Sequence, residues 1–264
     1  MQIKSGLKMK ILNKTERGLL GIFALFALST THVHATTEYI KIEKNHKIIA
    51  DVVRISQLDQ LQLFLNNSKQ QPYNKFKAVA KGLPKCQILS FAMNAGMYHA
   101  DYSAVGLYVE NSKQLSSLNT QTQGFGNFLM QPNGVLAWNK KQATIQITQH
   151  YAQSNFKADY ATQSGPMLVI EGKINRQFLP QSDSLKIRNG VGIKNNQLYF
   201  VISRERISFY DFAQIFKEDL NIDQALYLDG SISSAYIPQA GRSDNRFNLG
   251  PIVGFIEQKN CQES

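Results

Sequence analysis

Apolar runs in this chain are short, and one after another they halt at glycine, asparagine or proline. Residues 87–92 run into Asn94-Ala95-Gly96, and Val135-Leu136-Ala137-Trp138 follows Pro132-Asn133-Gly134. Val191 to Ile193 and Leu198 to Ile202 flank Asn195-Asn196, and Ala225 to Leu228 stop at Asp229-Gly230. Runs of this length are strands, and the residues that end them are those that turn a backbone. The pattern predicts an α+β (mixed α/β) fold in a single domain, a multi-stranded mixed sheet with hairpins packed by a few helices. Residues 39–55 alternate as one or two strands, and another strand begins near Val105. The Pro132-Asn133-Gly134 turn predicts a hairpin between Asn127–Met130 and Val135–Trp138. Two helices are expected. One is capped by Ser56 and Asp59, with Leu58, Leu61 and Leu65 on one face. The other starts at Ser208 with Asp211 at its third position, and buries Phe209, Phe212, Phe216 and Leu220.

The N-terminus sets Lys4, Lys8, Lys10, Lys14 and Arg17 before an apolar run of 11 residues, Gly18 to Leu28, and then a polar stretch ending Val33-His34-Ala35. This is the layout of a secretory signal peptide, residues 1–35, with cleavage after Ala35. The run falls well short of the about 20 residues that a membrane span needs. Residues 36–264 are then the working domain, exported to the periplasm or secreted. Without the signal the chain has 24 basic and 18 acidic residues, net +6 in place of +10. The basic residues are scattered, which argues against nucleic acid and leaves a mild preference for anionic ligands. No protein partner is identifiable. Cys86 and Cys261 form an even pair in an oxidising compartment and predict one disulfide, which contributes roughly 4 to 5 kcal/mol in the chain-entropy model.

Chemistry concentrates at residues 225–238. The strand Ala225 to Leu228 delivers Asp229 to its own end, followed by Gly230 and the hydroxyl residues Ser231, Ser233 and Ser234. Backbone N–H groups in such a small-residue turn can meet an anion beside a carboxylate. Four further segments gather glycines, amides and charges at strand ends: Met93 to His99, Gly124 to Phe128, Gln163 to Pro166, and Arg188 to Gly192.

These five segments, in this order, resemble the phosphodiester glycosidase family, in its exported bacterial branch. The resemblance spans about residues 85–255. The family's Asn-Gly-Gly-Phe-like element falls on Asn94 to Met97, its Ser-Gly-Pro element on Ser164 to Pro166, its arginine on Arg188, and its Asp-Gly-Gly-Gly-Ser element on Asp229 to Ser233. Two positions depart from that pattern: Ala95 replaces the first glycine after Asn94, and Ser231-Ile232 replaces the glycine run. The resemblance implies a mixed α/β domain that hydrolyses the glycosidic bond of a sugar phosphodiester. Asp229 is then the catalytic carboxylate, as nucleophile or as base for a water, with Asp101 or Glu205 as a second carboxylate. Arg188 is suited to hold the phosphate through two parallel N–H bonds. Asn94 and Ser164 would bond sugar hydroxyls, and the N–H groups of Gly165 and Gly230 would approach the ligand. Gly96, His99, Asp101 and Ser233 complete the expected binding set.

No zinc site is predicted, since the histidines have no HExxH or close pair. No cofactor is predicted either; a divalent cation held by Asp229 and backbone oxygens stays open. Serine hydrolase chemistry is disfavoured by the absence of a Gly-x-Ser-x-Gly elbow. The competing function is a non-catalytic periplasmic glycan-binding or envelope-associated protein on the same fold.

Overall fold

The computed structural model describes residues 37–230 and 232–259. The predicted signal peptide, Ser231 and Cys261 lie outside them. Among the described residues the strands are β1 (Thr37–Lys44), β2 (Lys47–Ile55), β3 (Leu61–Phe64), β4 (Gln87–Asn94), β5 (Tyr108–Glu110), β6 (Lys113–Ser116), β7 (Gly134–Trp138), β8 (Ala143–Ile147) and β9 (Tyr160–Ser164). They continue as β10 (Met167–Ile170), β11 (Lys173–Ile174), β12 (Asn189–Lys194), β13 (Gln197–Ser203), β14 (Gln224–Tyr227), β15 (Ala235–Ile237), β16 (Arg242–Ser243) and β17 (Ile252–Gln258). The helices are α1 (Phe76–Gly82), α2 (Thr148–Ala152) and α3 (Phe209–Gln214), the last running on as a π-helical turn over Ile215–Asp219. None of them is long and apolar enough to cross a membrane.

The strands form three sheets. A seven-stranded sheet has the order β1-β2-β13-β12-β14-β10-β11; two five-stranded sheets have the orders β16-β15-β4-β17-β3 and β6-β5-β9-β7-β8. Every strand pairing among the described residues is antiparallel. The single α+β domain expected from the sequence is thus what the chain forms, its strands shared among three antiparallel sheets.

One core cluster draws on all three sheets, with Val53, Phe200 and Leu226 from the first, Phe91 and Phe255 from the second, and Leu136 and Trp138 from the third. A second covers the other face of the seven-stranded sheet, where Phe212 and Phe216 pack on Val52, Val201 and Tyr227. Each of those two phenylalanines is fully buried, which stabilises by about 1.5–3 kcal/mol apiece. Ser208 caps this helix as expected, its hydroxyl accepting from the Asp211 N–H at 3.0 Å.

The predicted β12–β13 hairpin forms, with Asn195 and Asn196 both at positive φ. The helix expected after Ser56 does not. Leu58–Gln60 make one 3-10 turn, and Leu61–Phe64 become β3, paired with β17. Leu61, Leu63 and Leu65 are all buried, so their period is two, and the Leu58-Leu61-Leu65 spacing that mimicked a helix is incidental to it. The hairpin expected around Pro132-Asn133-Gly134 keeps only its second strand. Asn127–Leu129 is a 3-10 turn, because Asn133 is buried and turned inward: its Nδ2 donates to the Phe128 carbonyl at 3.0 Å and its Oδ1 accepts from the Thr148 hydroxyl at 2.7 Å. β7 pairs with β8 and β9 instead. The strand expected near Val105 begins at Tyr108.

Candidate active site

Asp229 lies on the connection from β14 to β15, where the chain leaves the seven-stranded sheet and enters the β4-containing one. Three strand ends meet it there, one from each sheet: Asn94 closes β4, Ser164 closes β9 and Asn189 opens β12. Asn94 Nδ2 donates to the Asp229 carbonyl at 2.9 Å, while its Oδ1 accepts from the Ser234 N–H at 2.8 Å. Asn189 Nδ2 donates to the carbonyl of Asn94 at 2.9 Å and to its side-chain oxygen at 3.1 Å; Asn189 Oδ1 accepts from the Asp229 N–H at 3.2 Å. The Ser164 hydroxyl donates to the Leu228 carbonyl. All three side chains are buried. A buried amide with its polar atoms paired inside the protein fixes a backbone more firmly than an exposed one would. Asn94 and Ser164, expected to meet sugar hydroxyls, therefore hold the carboxylate's loop in place. Asn189 lies in the Arg188–Gly192 segment, and no property of an isolated asparagine in the sequence announces this role.

Behind the loop sits Arg188, only 1% exposed. Its Nε donates to the Ile207 carbonyl at 2.8 Å and one Nη to the Ser184 carbonyl at 2.7 Å, and the guanidinium lies 3.7 Å from the centre of the Phe209 ring. Two of its N–H directions are thus committed to the protein, and burial lowers its pKa from the usual arginine value. Tyr227 links Arg188 to the loop. Burial pushes its hydroxyl far up, the Arg188 charge pulls it down, and the Asp229 charge pushes it up again. Gly230 must be glycine, because a Cβ there would land on the Tyr227 hydroxyl. Tyr98, on the loop after β4, also feels Asp229: burial first, then the Asp229 charge, raises its pKa to about 12. Its hydroxyl donates to the Asn248 carbonyl at 2.8 Å.

The remaining expected residues are placed as follows. Ser233 Oγ sits within hydrogen-bonding reach of the Ile187 carbonyl (3.1 Å) and the Asp229 carbonyl (3.3 Å), bracing the turn. Gly96 is packed against Thr162, and Gly165 against Asn133. His99 and Asp101 are exposed. Asp101 is lowered in pKa chiefly by the Ser103 hydroxyl, with a smaller pull from His99, and its carboxylate closes its own turn. Glu205 is exposed and faces Lys47 at 3.8 Å. In the Gly124–Phe128 segment the Phe128 carbonyl is held by Asn133 and lies against Gly165, while Phe125 is fully exposed. The departure at Ile232 tucks a half-buried apolar side chain against the cluster of Phe64, Phe76 and Leu89. Among the described residues, no group of three or more His, Cys, Asp and Glu is placed to hold a metal ion.

In front of the loop is a cleft of about 330 Å³, lined by Gly230, Ser233, Ile187 and Phe247 and by three cations, Lys186, Arg206 and Arg246. None of the ion pairs among the described residues involves these three. Nothing in the sequence singles them out, since they come from three separate stretches and converge only in the fold. A second cleft of about 270 Å³ shares Ile187, Ser233, Arg246 and Phe247 with the first. At its side Arg242 bonds the buried Asp51 at 3.3 Å and Asp244 at 2.7 Å. Burial pushes the Asp51 carboxyl up, but bonds from Arg204 (2.8–3.0 Å), Tyr39 (2.7 Å) and Arg242 outweigh it, so its pKa is lowered.

Comparison with known proteins agrees with this architecture. The model of the phosphodiester glycosidase family matches residues 88–251. The uncharacterized protein YigE of Escherichia coli (strain K12) is 36% identical over 204 residues, covering 77% of this chain and 79% of that protein. The catalytic domain of zebrafish N-acetylglucosamine-1-phosphodiester alpha-N-acetylglucosaminidase, solved auto-inhibited by its pro-peptide, has the same fold. It aligns with a TM-score of 0.60 at 12% identity, over 86% of this chain and 85% of that one.

Proposed function

The chain belongs to the phosphodiester glycosidase family, and we propose that it is an exported hydrolase that cleaves the glycosidic bond of a sugar phosphodiester. The observation that carries this reading is the placement of a carboxylate loop, locked from three sheets, against a cleft whose three cations have no carboxylate partner among the described residues. The phosphate sits against Lys186 and Arg206, with Arg246 beyond it, and the sugar carbon faces Asp229. Asp229 attacks that carbon itself or takes the proton of the water that does. The C–O bond breaks with its electron pair moving to the phosphate oxygen, and a phosphate monoester departs. A phosphate is already a good leaving group, so cations that meet its growing charge stand in for a general acid. Arg188, with two N–H directions committed and Phe209 against its face, acts behind the site by holding Tyr227 and Gly230 in place. Action in the periplasm or outside the cell is part of the same reading, supported by the basic and apolar N-terminal sequence.

The test is release of free sugar from aryl sugar phosphodiesters and UDP-N-acetylglucosamine by the mature protein, beside the Asp229→Asn variant. Turnover that falls at least about a thousandfold in Asp229→Asn, with ligand binding retained, is the expected result. No release by the wild type, with sugar binding intact, would replace the hydrolase with a glycan-binding protein on the same fold. The anomeric form of the first product distinguishes direct attack from water attack.

A further inference from the structure

We infer that the natural substrate carries a second negatively charged phosphate in its aglycone, beyond the phosphodiester whose glycosidic bond is cleaved. This rests on the hydrolase reading above and adds to it the charge of the leaving group.

A sugar phosphodiester brings one negative charge. The cleft offers three positive ones, on segments whose backbones are held in place. Lys186 and Ile207 exchange two backbone hydrogen bonds, 3.1 and 2.9 Å, which sets Lys186 and Arg206 side by side. Arg206 is then steadied by its Nε on the Leu185 carbonyl at 3.2 Å, so its terminal nitrogens are the ones left to meet a ligand. Arg246 is positioned from elsewhere. The ammonium of Lys75 donates to the carbonyls of Asn245 (2.8 Å) and Phe247 (2.7 Å), the residues on either side of it. Asn74, next to Lys75, accepts from the Leu249 N–H at 3.0 Å, which secures the same segment. Long cationic side chains normally sample many rotamers; three of them carried by fixed segments around one cleft, with Arg206 held by a side-chain bond as well, form a site for more than one charge.

The cleft is also longer than one phosphate needs. Its partner continues past Ile187 and Ser233 with Arg246 and Phe247 common to both. Arg242 in that extension is already paired with Asp51 and Asp244 and supplies little net charge. A leaving group running along the two clefts would place its second phosphate at Arg246, which lines both and, among the described residues, makes no ion pair. A diphosphate, as in a nucleotide-linked sugar, and a chain of phosphodiester-linked units both satisfy this chemistry.

The experiment uses probes with no glycosidic bond, so it does not depend on turnover. Calorimetric titration of the mature protein compares dimethyl phosphate with pyrophosphate and with a glycerol-phosphate oligomer of two phosphodiesters, at one ionic strength. The expected result is that a doubly phosphorylated probe binds at least tenfold more tightly than dimethyl phosphate. Arg246→Ala and Arg206→Ala should each remove most of that preference, while Arg176→Ala, exposed on a different stretch, should keep it. Tighter binding of pyrophosphate points to a nucleotide-linked sugar, and of the oligomer to a polymer. Equal binding of one-phosphate and two-phosphate probes, or a preference that survives both variants, overturns the inference. An enzyme that releases sugar but shows no preference leaves the hydrolase standing without the second phosphate. A preference without sugar release upholds the anion site and removes the hydrolase.

Discussion

Replacing Asn189 by alanine tests whether the carboxylate loop is held as described. The side chain is fully buried and makes four hydrogen bonds: to the Asn94 carbonyl (2.9 Å) and side-chain oxygen (3.1 Å), and with the Asp229 N–H (3.2 Å) and Ser233 hydroxyl (3.3 Å). Each is worth about 0.5–1.5 kcal/mol net, and partners left buried without replacement add to the cost. Two of the four are long, so the variant should lose about 3 kcal/mol. Asn94→Ala, which also removes the bonds to the Asp229 carbonyl and the Ser234 N–H, should lose a similar amount. Because the two amides share a bond and a loop, the double variant should cost less than the sum of the singles by about 1 kcal/mol. Asn189→Asp should be no better than alanine, since an ionised oxygen would face the two Asn94 oxygens. The assay is urea unfolding followed by the fluorescence of Trp138, the chain's one tryptophan and fully buried, with slopes compared across variants. A loss under about 1 kcal/mol in Asn189→Ala, or strict additivity in the double variant, would refute the idea that one buried amide pair holds the loop.

Gly230→Ala should cut sugar release at least about a hundredfold, because its Cβ meets the Tyr227 hydroxyl, and adding Tyr227→Phe should recover part of it by removing the obstructing oxygen. Asp51 has a lowered folded pKa, so its contribution to stability is complete above the unfolded value near 4 and is lost as pH falls through the folded one. Unfolding curves should therefore show the wild type losing stability below about pH 4 more steeply than Asp51→Asn, which should itself be about 2 kcal/mol less stable at pH 7; parallel pH profiles would count against this. If the sequence expectation of a Cys86–Cys261 disulfide holds, the protein purified from an oxidising compartment should show no thiol reactive to alkylation until it is reduced; the Lys259 N–H donates to the Cys86 carbonyl at 2.7 Å, which brings the end of the described chain to Cys86. Reactive thiols in the denatured, unreduced protein would sink that pairing.

Local signals carried much of the architecture. The Asn195-Asn196 turn, the Ser208 cap and the strand leading to Asp229 were legible because neighbours in sequence decide them. β3 was misread as helix because leucines at 58, 61 and 65 fit both periods, and only pairing with β17, some 190 residues on, selects the strand. The Pro132-Asn133-Gly134 turn does not join two strands, because the inward bonds of Asn133 depend on Thr148 and Phe128, which its neighbours do not reveal. In the site, Asp229 and Gly230 were visible as a motif, whereas the cations at 186, 206 and 246 were not. Each is an ordinary exposed basic residue along the chain, and only the meeting of separate segments makes them a cleft. For the same reason the burial of Arg188 and its bonds to the carbonyls of Ser184 and Ile207 cannot be read from its neighbours in sequence.

β17 is the last described strand, yet it sits inside its sheet between β4 and β3, and its Ile252 pairs with Asn94. Until that segment arrives, β4 has no partner on that side and the amide that grips the Asp229 carbonyl has no fixed seat. Synthesis and folding are therefore separated in time: nearly the whole sequence must exist before the centre can be assembled. If the chain is exported as proposed, such a late keystone would keep the precursor open until its last strand has crossed.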